Sequence, residues 1–152
     1  MSVMTAPLRM LVYSARYCGS NLELDLNDIL TKSTRNNRRD GVTGALLVDG
    51  LTFVQAVEGP PDAIERLFGR ICADRRCAQH EVLLDQPASG RSAWEWSLHV
   101  AHLDAARGID PAALRAFRDA YTHGFKADVA GFIDVLHALL TPGSAAGGPV
   151  VR

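Results

Sequence analysis

The stretch Val42–Gly59, VTGALLVDGLTFVQAVEG, decides how the chain folds. Two apolar runs, Val42 to Val48 and Leu51 to Glu58, stand on either side of Asp49-Gly50. An Asp-Gly pair between apolar runs of strand length is the strongest short hairpin signal in a sequence. In the second run the alternation sets Phe53, Gln55 and Val57 on one face and Thr52, Val54 and Ala56 on the other. Both faces are largely apolar, so this strand belongs inside a sheet covered on both sides.

Upstream, Leu8 to Ala15 reads as a further strand, apolar on both faces and therefore central. Leu22, Leu26, Ile29 and Leu30 follow at helical spacing, with Asn21 or Asp25 as N-cap, Asn36-Asn37 at the end and Gly41 marking the exit. Downstream, Gly59-Pro60-Pro61-Asp62 stops the hairpin and opens a second helix, because proline is pre-organised for a first helical turn. Ile64, Leu67, Phe68, Ile71 and Cys72 form its apolar stripe. Glu81 to Leu84 and Trp94 to Ala101 read as two more strands joined by a loop from Asp85 to Ser92.

This order predicts an α+β, ferredoxin-like βαββαββ core with both core helices on one sheet face. Leu114, Phe117 and Tyr121, then Val129, Phe132, Ile133, Leu136, Leu139 and Leu140, predict two C-terminal helices capping the other face. The expected division is a domain over 8–104, a helical cap over 110–141 and a disordered Gly/Ala/Ser-rich tail over 142–152.

The 152 residues suit one core, and a net charge of −1 gives no electrostatic case for a nucleic-acid or membrane partner. No apolar run reaches the roughly 18 residues of a membrane span, and Met1 to Pro7 do not read as a signal peptide. Cys18, Cys72 and Cys77 make no disulfide framework, which fits a cytoplasmic protein. The five histidines have no metal-ligand spacing, and phosphate-loop and hydrolase-elbow motifs are absent from the sequence.

A few polar residues sit awkwardly in this pattern. Gln55 is an amide in mid-strand among hydrophobes, and an unpartnered buried amide costs about 1–3 kcal/mol. Tyr13 lies in the central strand, so its hydroxyl should be buried and want a partner. Taken singly, each reads first as structural, as do Asn36-Asn37 as a helix cap. Arg66, Arg70 and Asp74 are spaced by four on the second helix. They read either as a surface ion pair or as an arginine aimed between the helices.

Taken in order, these segments resemble the BLUF family, blue-light sensors using FAD. The carriers are Leu11-Val12-Tyr13-Ser14, Arg35-Asn36-Asn37, Gly41-Val42-Thr43-Gly44, Phe53-Val54-Gln55-Ala56-Val57-Glu58-Gly59, Arg70-Ile71-Cys72-Ala73-Asp74 and Trp96-Ser97-Leu98. The resemblance implies a photoreceptor rather than an enzyme, with non-covalent FAD between the two core helices. It implies that Tyr13 gives an electron and proton to the photoexcited flavin, and that Gln55 bridges Tyr13 to the flavin and rearranges. It further implies ring contacts from the asparagine pair, Asn37 first and Asn36 as helper, with Arg70 and Asp74 near the C2 carbonyl. Trp96 and the next residue but one would relay the signal, although Leu98 stands where the family usually has methionine. The expected outputs are an unidentified downstream protein and a homo-oligomer. Two rival readings are a light-insensitive ferredoxin-like interaction module and, ranked last, an acylphosphatase-like enzyme.

Overall fold

The computed structural model describes residues 7–88, 98–102, 115 and 147–151. In chain order these form β1 (Leu8–Tyr17), α1 (Leu22–Asp40), β2 (Thr43–Asp49), β3 (Thr52–Gly59), α2 (Pro61–Ala73), β4 (Cys77–Ala88), β5 (Leu98–His102) and β6 (Gly147–Val151). The hairpin forms where Asp49-Gly50 predicts it, one residue displaced. Asp49 pairs with Thr52, which leaves Gly50-Leu51 as the two-residue loop. Gly50 takes φ of 60°, a left-handed value that a side chain resists.

The strands line up as β4-β1-β3-β2-β5-β6. The first four form an antiparallel sheet, and β5 joins β2 in parallel. The β1 strand is therefore internal, as its two apolar faces require. Leu11, Tyr13, Ala15 and Tyr17 share one of those faces because side chains alternate along a strand. Tyr17 packs with Leu26, Ile29 and Leu30 of α1, and Leu11 packs with Ile64 and Leu67 of α2. Both helices thus lie on the same side of the sheet. On the opposite side Val12, Leu47, Val54, Ala56 and Glu58 are buried as well.

Local chemistry fixes the helix ends. Asn21 is the N-cap of α1, its side-chain oxygen accepting from Leu24 N at 3.1 Å, so Asp25 is not the cap. The helix runs on past Asn36-Asn37 to Asp40, and Gly41 supplies the left-handed cap with φ of 72°. The asparagine pair is helical rather than a terminal cap. Tyr17 Oη donates to Asp25 and accepts from Asn21 N at 3.1 Å, which ties the end of β1 to the start of α1. In α2, Pro61 occupies the first turn, where its missing N–H goes unneeded. Ile64, Leu67, Phe68 and Ile71 do form the stripe, but Cys72 is exposed, since it lies about 100° further round the helix than Ile71.

The sheet edges depart furthest from expectation. β4 runs from Cys77 to Ala88, so Asp85 to Ala88 belong to a strand and not to a loop. Its order in the sheet gives the reason. Among the described strands β4 pairs with β1 alone, and an edge strand tolerates both Pro87 and the polar residues that blurred its pattern. Arg9 secures this edge, with Nε and Nη2 donating to Asp85 at 2.8 and 2.7 Å and Nη1 to Glu65 at 2.7 Å. At the other edge, Gly147–Val151 pairs antiparallel with β5, although it falls in the segment expected to be disordered. The outer edge of β5 offers unpaired backbone groups, and β-branched Val150 and Val151 suit a strand that satisfies them. Trp94, Trp96 and the expected C-terminal helical stripes lie outside the described residues.

Gly50 and Gly69 separate backbone strain from crowding, because a Cβ on either would meet nothing within 4 Å. Gly50→Ala should lose about 1–2 kcal/mol through its left-handed φ. Gly69→Ala, inside α2, should gain roughly 0.5–1 kcal/mol. Urea unfolding reads both, and the same sign for the two would contradict the turn assignment.

Candidate functional site

The β1–β3 register sets Tyr13 directly opposite Gln55. Both side chains point to the helix-covered face, and both are buried, at 4% and 5% exposure. There Tyr13 Oη donates to Gln55 Oε1. Burial pushes the Tyr13 phenol well above its usual pKa, so it keeps its proton and remains a donor. Gln55 makes this one side-chain bond among the described residues, which leaves its NH2 group, with two further donors, for other partners.

The pair forms part of the wall of a cavity of about 180 Å³ between the two helices. At about 10–15 Å³ per water, such a space takes a ring system rather than a single solvent molecule. Ala15, Leu46 and Phe53 line it from the sheet. Ile29, Lys32, Ser33 and Asn36 line it from α1, at the i, i+3, i+4, i+7 spacing of one helix face. Arg70 and Ile71 come from α2, and Asp74, Arg76, Cys77 and His80 come from the turn and strand that follow. The lining therefore mixes apolar side chains with amides and charged groups.

The cations are held in place by carboxylates. Arg76 donates to Asp74 through Nη2 at 2.6 Å and through Nε at 3.0 Å, and to Asp28 through Nη1 at 2.9 Å. Lys32 Nζ lies 3.2 Å from the same Asp28 oxygen. These contacts hold the Asp74 and Asp28 carboxyls below the usual carboxylate range. Arg70 approaches Asp40 at 3.8 Å rather than Asp74, because α2 ends at Ala73 and Asp74 turns away with φ of −76° and ψ of 117°. The i, i+4 ion pair that the sequence offers is therefore not the contact Asp74 makes. Desolvation pushes the Cys77 thiol up to about 11, so it stays protonated.

Of the residues singled out in the sequence, Tyr13, Gln55, Asn36, Arg70 and Asp74 meet at this cavity. Asn37 is not part of its lining. At 1% exposure it is buried, and its carbonyl accepts from Val42 N at 2.8 Å. Consecutive helical residues point about 100° apart, so one cleft receives Asn36 and not its neighbour. Leu98 opens β5, two strands away from Gln55, and Trp96 lies outside the described residues. Lys32, Arg76 and His80 were missed. Lys32 could have been found, since it shares a helical face with Ile29 and Asn36. Arg76 and His80 follow the end of α2, where no periodicity fixes direction.

Comparison with known proteins gives a consistent result. The family model described as "BLUF: Sensors of blue-light using FAD" matches residues 8–99. The photoactivated adenylate cyclase subunit alpha of Euglena gracilis is 35% identical over 79 residues, which are 52% of this chain and 8% of that one. The chain thus spans less than a tenth of that relative's length. Among solved structures, the dark state of BlrB, a BLUF protein, superposes with a TM-score of 0.72 at 29% identity. The match covers 90% of this chain and all of that one, at 100%. The photo-activated state of BlsA also reaches 0.72, at 22% identity over 95% of this chain and 99% of that one, a likeness of fold.

The Asp74–Arg76 contact gives a pH dependence of defined sign. A depressed carboxyl contributes stability above its unfolded pKa, about 3.9, and loses it as pH falls through the lower folded value. Arg76→Leu should therefore melt below the parent protein at pH 7, with the gap narrowing below about pH 4. Melting curves at both pH values check this, and an undiminished gap in acid would contradict it.

Proposed function

The chain belongs to the BLUF family, sensors of blue light using FAD, and on that premise we propose that it binds FAD non-covalently in the cavity between α1 and α2. The β4-β1-β3-β2 order with both helices on one face supports reading the core as ferredoxin-like. The residues suit a flavin chemically. Ile29, Leu46, Phe53 and Ile71 offer apolar surface to a flat ring, and the amides of Asn36 and Gln55 match an edge of alternating donors and acceptors. Asn36 is the direct contact. Asn37, first choice from the resemblance, is buried next to it outside the cavity lining, and its backbone carbonyl accepts from Val42 N just before β2. Arg70 flanks the ring, and Asp74 keeps Arg76 at the cavity wall.

A bound flavin supplies blue absorption and an excited state that oxidises a neighbouring tyrosine. Tyr13 is the electron donor. Its phenolic proton already points at Gln55 Oε1, so proton and electron can leave together without a charged phenol in a buried site. Gln55 then presents its amide differently to the cavity, and that rearrangement is the switch. The observation that carries this reading is the buried Tyr13–Gln55 hydrogen bond at the edge of the cavity.

The signal leaves toward β5. Gln55 pairs with Leu46 on β2, and Leu46 pairs with Val100 on β5, so β2 alone separates the strand that begins at Leu98 from the strand of the switch. Trp96 and Leu98 are the proposed relay. The segment over 110–141 is the proposed cap of the far sheet face, a reading that the burial of Val12, Leu47 and Val54 supports. A downstream protein, reached through that face or through a homo-oligomer, receives the output. No helix among the described residues is long and apolar enough to cross a membrane.

Purified protein should be yellow and should shift its visible absorption reversibly to the red under blue light. A colourless protein that also rejects added FAD would overturn the reading. Tyr13→Phe and Gln55→Leu should each keep the flavin and lose the normal red shift, and an unchanged shift in Tyr13→Phe would show the donor is wrong.

A further inference from the structure

His80 lines the same cavity, and the switch described above does not use it. Its Nε2 is buried and has no hydrogen-bond partner among the described residues. Its ring centroid lies 6.2 Å from that of Tyr13, with the planes inclined at 36°. The chain reaches this position by an irregular route. The β1–β4 register slips on both sides of the Tyr13–Ser14 step, and Gln79 takes φ of 56°, a left-handed conformation rare outside glycine. Strained backbone of this kind persists where the surrounding structure holds it, and here it delivers an imidazole beside the Tyr13 ring.

A neutral imidazole protonated on Nδ1 leaves Nε2 as a lone-pair acceptor. Tyr13 needs such an acceptor at one moment. When its hydroxyl donates to Gln55 Oε1, the phenol is satisfied. Once the Gln55 amide turns so that NH2 faces the tyrosine, Tyr13 oxygen accepts from Gln55 and its own O–H loses its acceptor. A buried donor left in that condition is costly, and the rearranged state would collapse quickly unless a second acceptor stood nearby.

We propose that His80 is a positioning residue, whose Nε2 accepts the Tyr13 hydroxyl in the light-adapted state and so sets how long that state lasts. The inference rests on the Tyr13–Gln55 switch proposed above. His80 Nε2, which has no partner among the described residues, would gain one in the light-adapted state, with no change in the number of protons.

The test uses the whole chain loaded with FAD. Nitrogen-15 spectra of the histidine side chains, recorded in the dark and under continuous blue light, should show His80 Nε2 moving to a hydrogen-bonded acceptor position. His80→Phe keeps a ring in place without the acceptor. It should form a red-shifted state of normal amplitude that returns to the dark form faster, on the order of fivefold, the factor one ordinary hydrogen bond confers. His80→Gln, which restores an acceptor, should recover more slowly than His80→Phe. A His80 Nε2 resonance that stays put while the flavin absorption shifts overturns the proposal, as does recovery in His80→Phe at the parent rate. A parent protein with no red shift at all overturns the switch and this inference together. If His80→Phe does not fold, the nitrogen spectra of the parent protein decide.

Discussion

One hydrogen bond, from Tyr13 Oη to Gln55 Oε1, organises the site, and the sheet exists in the form that makes it possible. Two polar side chains on neighbouring antiparallel strands meet only if their strands are in one register, since a slip of one residue turns every side chain to the other face. The β1–β3 register pairs Arg9 through Arg16 with Gly59 back to Thr52, with no irregularity along its length. The irregularity falls on the other side of β1, against β4, where it moves His80 without disturbing the pair. A regular register on one flank and a slip on the other set the donor–acceptor pair beside His80.

Around that bond the helices divide the work. Leu26, Ile29 and Leu30 of α1 pack on one end of the sheet, and Ile64 and Leu67 of α2 pack on the other. Between the two packed patches the helices stand apart, and the cavity is that gap. Its lining combines apolar side chains with charged ones, and Arg76 among them is paired within the protein with Asp74 and Asp28. A ring entering there meets hydrophobic surface without having to neutralise a free cluster of cations. The membership of the chain in the BLUF family follows from the match over residues 8–99, and the cavity gives that membership a physical location.

Legibility in the sequence followed periodicity. The hairpin, the internal position of β1 and the core stripe of α2 all rest on repeating apolar positions, and those were readable. Gln55 and Tyr13 were visible as polar intruders, but their meeting depends on β1 lying beside β3, a long-range pairing that no local pattern encodes. The edge strand β4 was half hidden because Asp85, Gln86 and Pro87 imitate a loop, and only its position beside β1 makes them a strand. Asn36 and Asn37 stood out together, but no local pattern tells which of two helical neighbours faces the cleft, and only Asn36 lines the cavity. Arg76 and His80 were unreadable for a different reason. They follow the end of α2, where direction is set by a capping turn and a left-handed residue rather than by a repeat.

The account stands or falls on whether light alters the Gln55 amide itself. The most direct measurement is a light-minus-dark infrared difference spectrum of the FAD-loaded protein with carbon-13 in the glutamine side chains, with the Gln55 band assigned by its loss in Gln55→Leu. The account predicts that the Gln55 carbonyl band shifts on illumination in step with the red shift of the flavin. A flavin absorption that shifts while the Gln55 band stays where it was in the dark would contradict it.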